Sequence, residues 1–299
     1  PTPALYYVTS LAYDSTHQKL FYTTNNSFGW RDIHEFDLRT RESRELLKDV
    51  RIGDLVVHPH DKAIWGIQHH NGLSRIVRLS VPYTTWNEIF VLPYGKDLFD
   101  IDISPDGSVM TGSMVEISGR QHLVMVDLTK LQNGDAVFET LYEFENTAPS
   151  NFVFTRDGSS VVGTSYYTGV SNVFRYTFAT GTMDALTNAE TGYFRPLPLG
   201  EDSLLAFEYT REGFQPVVMA VWPLADVNAV HYLGQEIVER HPVVTTWILP
   251  SPTLIDLDSV TTAIGDYRTF DQVGLGSLYP VVEGYKEFPA FGLRANFYD

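Results

Sequence analysis

The sequence predicts an all-β chain made of repeated four-stranded sheets. Three observations predict it: a strand–turn–strand segment with period-two alternation, recurrence of that segment at a near-constant interval, and the near absence of helical periodicity. The best-preserved copy runs from Asp100 to Thr111. Ile101 and Ile103 alternate with Asp100 and Asp102, the pattern of a half-buried strand. Pro105-Asp106-Gly107 supplies the turn, because proline presets φ, aspartate bonds its own backbone and glycine accepts a positive φ.

With the turn as marker, five copies appear, at Ser15, Pro59, Pro105, Arg156 and Gly200, separated by 44, 46, 51 and 44 residues. A third strand ending in an apolar residue follows each turn: Glu35–Leu38, Ile76–Leu79, Met125–Leu128, Arg175–Phe178 and Ala220–Leu224. A fourth, edge-like segment follows that: Arg44–Leu47, Glu88–Leu92, Phe138–Tyr142, Met183–Leu186 and Val230–Leu233. Four short strands in a unit of this length are the sequence signature of a β-propeller blade. The predicted architecture is therefore a β-propeller with about five visible four-stranded blades, closing as five or forming part of a six- to eight-bladed ring. Ala4–Val8 reads as a closing strand and Leu224–Val230 as a short helical turn.

At these residues the chain resembles the TolB-like, WD40-like propeller repeats of bacterial envelope proteins, whose motif is an apolar strand, Ser-Pro-Asp-Gly and a second apolar strand. Ser104–Gly107 matches in full, Thr155–Gly158 keeps the Asp-Gly half, and His58–Asp61 keeps the proline. The first and fifth units match by spacing and apolarity. The resemblance covers residues 1–234 and implies a binding platform located in the periplasm or at the outer membrane. Such propellers also serve as substrate-gating accessory domains of peptidases, which is the alternative function.

Residues 235–299 form a second region, a linker and an irregular C-terminal extension. Val238–Trp247 reads as one extended segment and Pro250–Pro252 as a linker. In Ala290–Tyr298 the residues Phe291, Leu293, Ala295 and Phe297 fall on one face, and Gly292, Arg294, Asn296 and Tyr298 on the other. That dyad suits a strand of an outer-membrane barrel, and Leu278–Lys286 looks like the entry to such a barrel in propeller-plus-barrel envelope proteins. One strand cannot close a barrel, so membrane contact is expected only through barrel strands beyond this chain. The start at Pro1 likewise reads as that of an excised or processed polypeptide.

Composition narrows the chemistry. The 299 residues carry 21 Lys plus Arg against 37 Asp plus Glu, a net charge of −16. That field repels phosphates, so no nucleic-acid partner is expected; a protein or peptide is. The absence of cysteine removes disulfides, thiol catalysis and thiolate-bound metals. No Gly-x-Ser-x-Gly elbow, phosphate loop or His-Glu-x-x-His helix is present, so the chain reads as non-catalytic, with no cofactor and no metal site assigned. His58, His60, His69 and His70 lie close in sequence but occupy turns or alternate faces of a strand, and read as structural.

Alignment of the units gives the candidate site. Five positions before each turn marker stand Ser10, Asp54, Asp100, Asn151 and Arg195, all polar. They are placed at the start of the innermost strand of each blade, which lines the channel. Asp54, Asp100, Asn151 and Arg195 are thus the expected ligand-binding residues at the channel mouth, for a cation, a peptide terminus or a small polar molecule. Their competing role is to cap strands and bind channel water. Trp30, Trp65, Trp86, Tyr166, Tyr167, Tyr193 and Phe194, read as loop aromatics, offer a second recognition surface.

Overall fold

The structure is a computed structural model, and it describes residues 8–26, 29–145, 147–200, 202–224, 238, 240–247, 255–262, 264–266, 273–285 and 288–298. It divides into two compact units, residues 1–250 and 251–299.

The first unit is a five-bladed β-propeller. Each blade is an antiparallel meander in which consecutive strands pair. Blade 1 holds β1 (Val8–Asp14), β2 (Lys19–Asn25), β3 (Arg31–Asp37) and β4 (Glu42–Leu47). Blade 2 holds β5 (Ile52–Val57), β6 (Ile64–His70), β7 (Leu73–Leu79) and β8 (Asn87–Val91). Blade 3 holds β9 (Lys96–Ile103), β10 (Val109–Glu116), β11 (Gln121–Asp127) and β12 (Glu139–Glu143). Blade 4 holds β13 (Pro149–Phe154), β14 (Ser160–Ser165), β15 (Asn172–Thr177) and β16 (Thr182–Ala185). Blade 5 holds, among the described residues, β17 (Tyr193–Pro198), β18 (Ser203–Thr210) and β19 (Gly213–Ala220).

The predicted turns fold as their chemistry dictates. In blade 3 the Asp106 carboxylate accepts from the Ser104 hydroxyl at 2.6 Å and from the Ser108 backbone N–H at 3.0 Å, while Gly107 takes φ +70°. Asp157 repeats this in blade 4, accepting from the Thr155 hydroxyl at 2.7 Å and the Ser159 N–H at 3.1 Å.

Three expectations need correction. The third strand of blade 5 is β19, ending at Ala220 rather than spanning Ala220–Leu224: β18 runs to Thr210, and a tight turn into Gly213, at φ +101°, starts the return early. A one-turn helix, α1 (Leu128–Gln132), joins β11 to β12, with Asp127 capping it by accepting from the Lys130 N–H at 2.8 Å. It is too short for a periodic pattern, yet its Leu128 and Leu131 are buried in the core. Within Val238–Trp247, Pro242–Thr246 is a 3-10 helix, because Pro242 presets helical φ at its first turn. Ala4–Tyr7, Ala225–Val230, Val230–Leu233 and Pro250–Pro252 lie outside the described residues.

The core sits between blades. Phe21 and Ile33 of blade 1 pack with Ile52, Leu55 and Ile64 of blade 2. Trp65, Ile67 and Ile76 of blade 2 pack with Leu98, Ile101 and Met110 of blade 3. Leu123 and Phe144 then meet Phe152, Val161 and Phe174, and Val162 and Val173 meet Leu204, Ala206 and Val221. Trp65, expected on a loop, is thus a core residue. Burying each such side chain contributes about 1.5–3 kcal/mol. Within three blades a glycine on the second strand leaves room for a side chain of the first: a Cβ on Gly66, Gly112 or Gly163 would stand 2.7, 2.8 or 2.3 Å from Ile52, Leu98 or Phe152. On blade 5, by contrast, Phe207, Tyr209, Phe214 and Val218 are exposed, as are Leu11 and Tyr13 on blade 1.

The second unit carries one hairpin, β20 (Gly274–Tyr285) paired with β21 (Phe288–Tyr298). Its register opposes Leu275 to Phe297, Leu278 to Ala295, Pro280 to Leu293 and Val282 to Phe291. One face is therefore wholly apolar at these positions, and Leu275, Leu278, Val282, Phe291, Leu293 and Phe297 are exposed. The other face pairs Ser277 with Asn296, Tyr279 with Arg294 and Glu283 with Ala290.

Candidate functional site

The aligned polar residues lie on the five innermost strands, as the repeat predicts, but not at their starts. Asp54, Asp100, Asn151 and Arg195 each sit inside a strand, at a slip in the pairing register with the second strand of the blade. All four adopt left-handed backbone, with φ of 48°, 50°, 51° and 50°. This is a bulge repeated in blades 2 to 5. Asp and Asn tolerate the left-handed region better than other non-glycine residues, while Arg195 takes it against its preference. Ser10 follows a register slip in β1 and is not among the left-handed residues.

The side chains of Ser10, Asp54 and Asp100 reach toward the next blade. The Ser10 Oγ accepts the Leu55 N–H at 2.7 Å. The Asp100 N–H lies close enough to the Asp54 carboxylate to oppose the rise of its pKa. The Asp100 Oδ2 accepts the Asn151 N–H at 2.9 Å. Every link joins the aligned position of one blade to the same position, or its neighbour, in the next. Of the residues predicted to bind a ligand, Asp54 and Asp100 therefore also tie the inner strands together, at N–H groups that the bulges free from the sheet ladder.

One cavity of about 440 Å³ gathers Ser10, Asp54, Asp100, Asn151 and Arg195, so the predicted set converges. Burial raises Asp54, opposed by His69, Arg31, the Asp100 N–H and Arg195. Burial likewise pushes Asp100 up to about 6; the Asn151 N–H and Arg195 oppose this and the Asp54 charge adds to it. Arg195 is exposed and close enough to influence both carboxyls, yet among the described residues no ion pair joins them.

The sequence did not single out Asp102, two residues along β9 and lining the same cavity. The equivalent residues of the other blades are Ala12, Val56, Val153 and Leu197, all apolar. Asp102 is the lone acid of this tier. Burial pushes it up to about 7, opposed by the N–H groups of Phe154 and Ile103, and its Oδ2 accepts the Phe154 N–H at 2.8 Å. Comparison of the aligned units at this position was the sequence clue.

His58 and His60 behave as turn residues, whereas His69 and His70 end strand β6, paired with Ser74 and Leu73. His58 and His60 donate through Nε2 to the carbonyls of Gly107 and Asp106, at 3.2 and 3.0 Å, holding one inter-strand turn against the next. Of the aromatics expected at or near loops, Trp30 lies under the Arg51 guanidinium, 3.3 Å from the ring centroid, while Tyr193 and Phe194 belong to strand β17, where Phe194 meets Tyr166 at 6.3 Å.

No family model matches the chain, and no curated protein matches it in sequence. Solved structures do match in fold. TolB from Acinetobacter baumannii superposes with a TM-score of 0.56 at 17% identity, covering 68% of this chain and 50% of that one. A putative TolB from Agrobacterium tumefaciens gives 0.58 at 13% identity, covering 72% and 77%. A chain of a nidogen–laminin complex gives 0.54 at 12%, covering 72% and 76%. The chain spans half the length of the Acinetobacter protein. By its blades, its inter-blade core and these superpositions, the chain is a five-bladed β-propeller with a TolB-like fold.

Proposed function

We propose that the chain is a non-catalytic binding module of a bacterial cell-envelope protein, recognising a protein, a peptide or a small polar ligand at the channel mouth. The observation that carries this reading is the convergence of Asp54, Asp100, Asn151 and Arg195 on one cavity. One oxygen of Asp100 is committed to the Asn151 N–H, which leaves the other for a ligand. Arg195 supplies a cation close by. Two carboxyls and a guanidinium fit a ligand that carries both an amine and a carboxylate, such as a peptide terminus. The role in binding coexists with the strand-stitching role, since each carboxylate has several acceptor sites.

The periplasmic or outer-membrane location is supported by the likeness to the two TolB structures and by the hairpin. Strands of 12 and 11 residues with one apolar face have the length and alternation of outer-membrane barrel strands. The alternative, a gating propeller of a larger peptidase, gains nothing from the described residues.

The test is calorimetric titration of short peptides, with free or blocked termini, into the chain and into Arg195→Ala and Asp54→Asn variants. Binding that needs free termini and weakens about tenfold or more in the variants supports the reading. Equal binding by wild type and both variants, or no binding by any peptide, refutes it for this ligand class.

A further inference from the structure

Blade 1 carries a set of side chains that none of the preceding chemistry uses. Asp32 and His34 lie two residues apart on β3 and so share a face. Glu45 on β4 stands directly opposite His34 in the register. One ligand atom from each of Asp32, His34 and Glu45 falls within 4.8 Å of the others. The set is built from two paired strands rather than a loop.

The surroundings prepare these groups for an ion rather than for each other. Nε2 of His34 is buried and has no hydrogen-bond partner. No ion pair joins His34 to either carboxylate among the described residues. The imidazole is stacked on Tyr22, with centroids 5.2 Å apart and planes 13° from parallel. Tyr22 is itself fixed by a 2.7 Å hydrogen bond between its hydroxyl and that of Ser43. Asp32 is buried, and its Oδ1 accepts from the Asp49 N–H at 2.7 Å and from Nδ2 of Asn26 at 3.2 Å. Such outer bonds orient a carboxylate toward a metal. Glu45 is exposed and gives the site an opening to solvent.

We propose that Asp32, His34 and Glu45 form a binding site for a divalent transition-metal ion of borderline softness, typified by Zn²⁺. An imidazole with two carboxylates selects such ions over Mg²⁺ and Ca²⁺, which prefer oxygen donors alone. Ligand atoms around a tetrahedral zinc stand about 3.4 Å apart, from bonds of about 2.1 Å. The exposed Glu45 side chain closes its share of the difference by a rotamer change, and small side-chain shifts of Asp32 and His34 close the rest. Three protein ligands leave a fourth position for water or a partner group. The bound ion ties β3 to β4, the outer edge strand of the blade, so its expected effect is to stiffen that edge.

The test titrates Zn²⁺ alone into the metal-stripped full chain, by calorimetry and thermal melting. The expected result is one tight site, a Tm raised by about 2–4 °C at saturation, and affinity at least tenfold weaker in His34→Gln and in Asp32→Asn. His58→Gln, away from the site, retains the binding. A gain-of-signal variant guards against misfolding: the chain has no cysteine, so His34→Cys loaded with Co²⁺ should show thiolate-to-cobalt charge-transfer absorption. Undiminished Zn²⁺ affinity in His34→Gln, absence of binding at micromolar Zn²⁺, or a folded His34→Cys without that absorption overturns the proposal.

Discussion

The Asp100 carboxylate accepts the backbone N–H of Asn151 at 2.9 Å, joining the bulge of one blade to the bulge of the next. The same residue lines the central cavity. Structure and recognition therefore draw on one side chain, and variants must separate them.

Asp100→Ala removes the acceptor and leaves a half-buried N–H without its partner. The expected loss of stability is about 1–3 kcal/mol. Asp100→Asn keeps an acceptor oxygen and should lose less than half of that. Urea melts of the two variants decide the point: equal losses would show that the charge, not the hydrogen bond, matters.

Asp102 makes stability depend on pH. Its carboxyl is pushed up to about 7 by burial, above its unfolded value of 3.8. The folded state then holds a proton that the unfolded state releases between those values. Its contribution is greatest below pH 4 and is lost as pH rises to about 7, with a total on the order of 2–4 kcal/mol. Asp102→Asn, which retains an acceptor for the Phe154 N–H, should flatten the slope and be the more stable protein at pH 8. A wild-type Tm that does not fall between pH 5 and 8 relative to this variant would count against the assignment.

Asp106 and Asp157 act in the opposite sense. Hydrogen bonds from the Ser104 or Thr155 hydroxyl, and from the residues after the turn, hold each carboxyl down to about 2. Their stabilisation is present above pH 4 and is lost as pH falls toward 2. Both are solvent-exposed, so screening makes the effect small. The Asp106→Ala and Asp157→Ala variants should each melt slightly lower than wild type at pH 7 and converge with it at pH 2.

Gly163→Ala tests the packing of Phe152 inside blade 4. The new methyl would meet the Phe152 ring at 2.3 Å, and Phe152 is fully buried. Overpacking of this kind costs about 1–3 kcal/mol. Gly265→Ala, with nothing within 4 Å of the added carbon, should leave the denaturation midpoint unchanged. Similar midpoints for the two variants would mean that the ring yields to the methyl.

Much of the fold is legible in the chain itself. The alternation in Ile101–Ile103 and the Ser104–Gly107 turn involve residues a few positions apart, so their chemistry acts within the segment. The convergence of Asp54, Asp100, Asn151 and Arg195 is also readable, because a repeat places equal positions at equal depth. Their left-handed bulge is not: nothing in the alternation of β9 marks a slip between Phe99 and Asp102. Nor is the stitching, whose partners lie 45 residues apart for Ser10 and Leu55 and 51 for Asp100 and Asn151. The early end of β19 escapes the pattern because a tight turn after Thr210 outweighs the apolar run that follows.

By itself the sequence determined the blades, since a four-stranded meander is assembled from adjacent segments and its turns are chosen by local backbone chemistry. Only the tertiary structure decided what the blades do to one another: which ring Phe152 meets across its seam, which acid in the channel stands among apolar neighbours, and which N–H of the next blade Asp100 reaches. Those outcomes depend on packing and desolvation by residues distant in the chain, and the free energies that set them exist only once the sheets have come together.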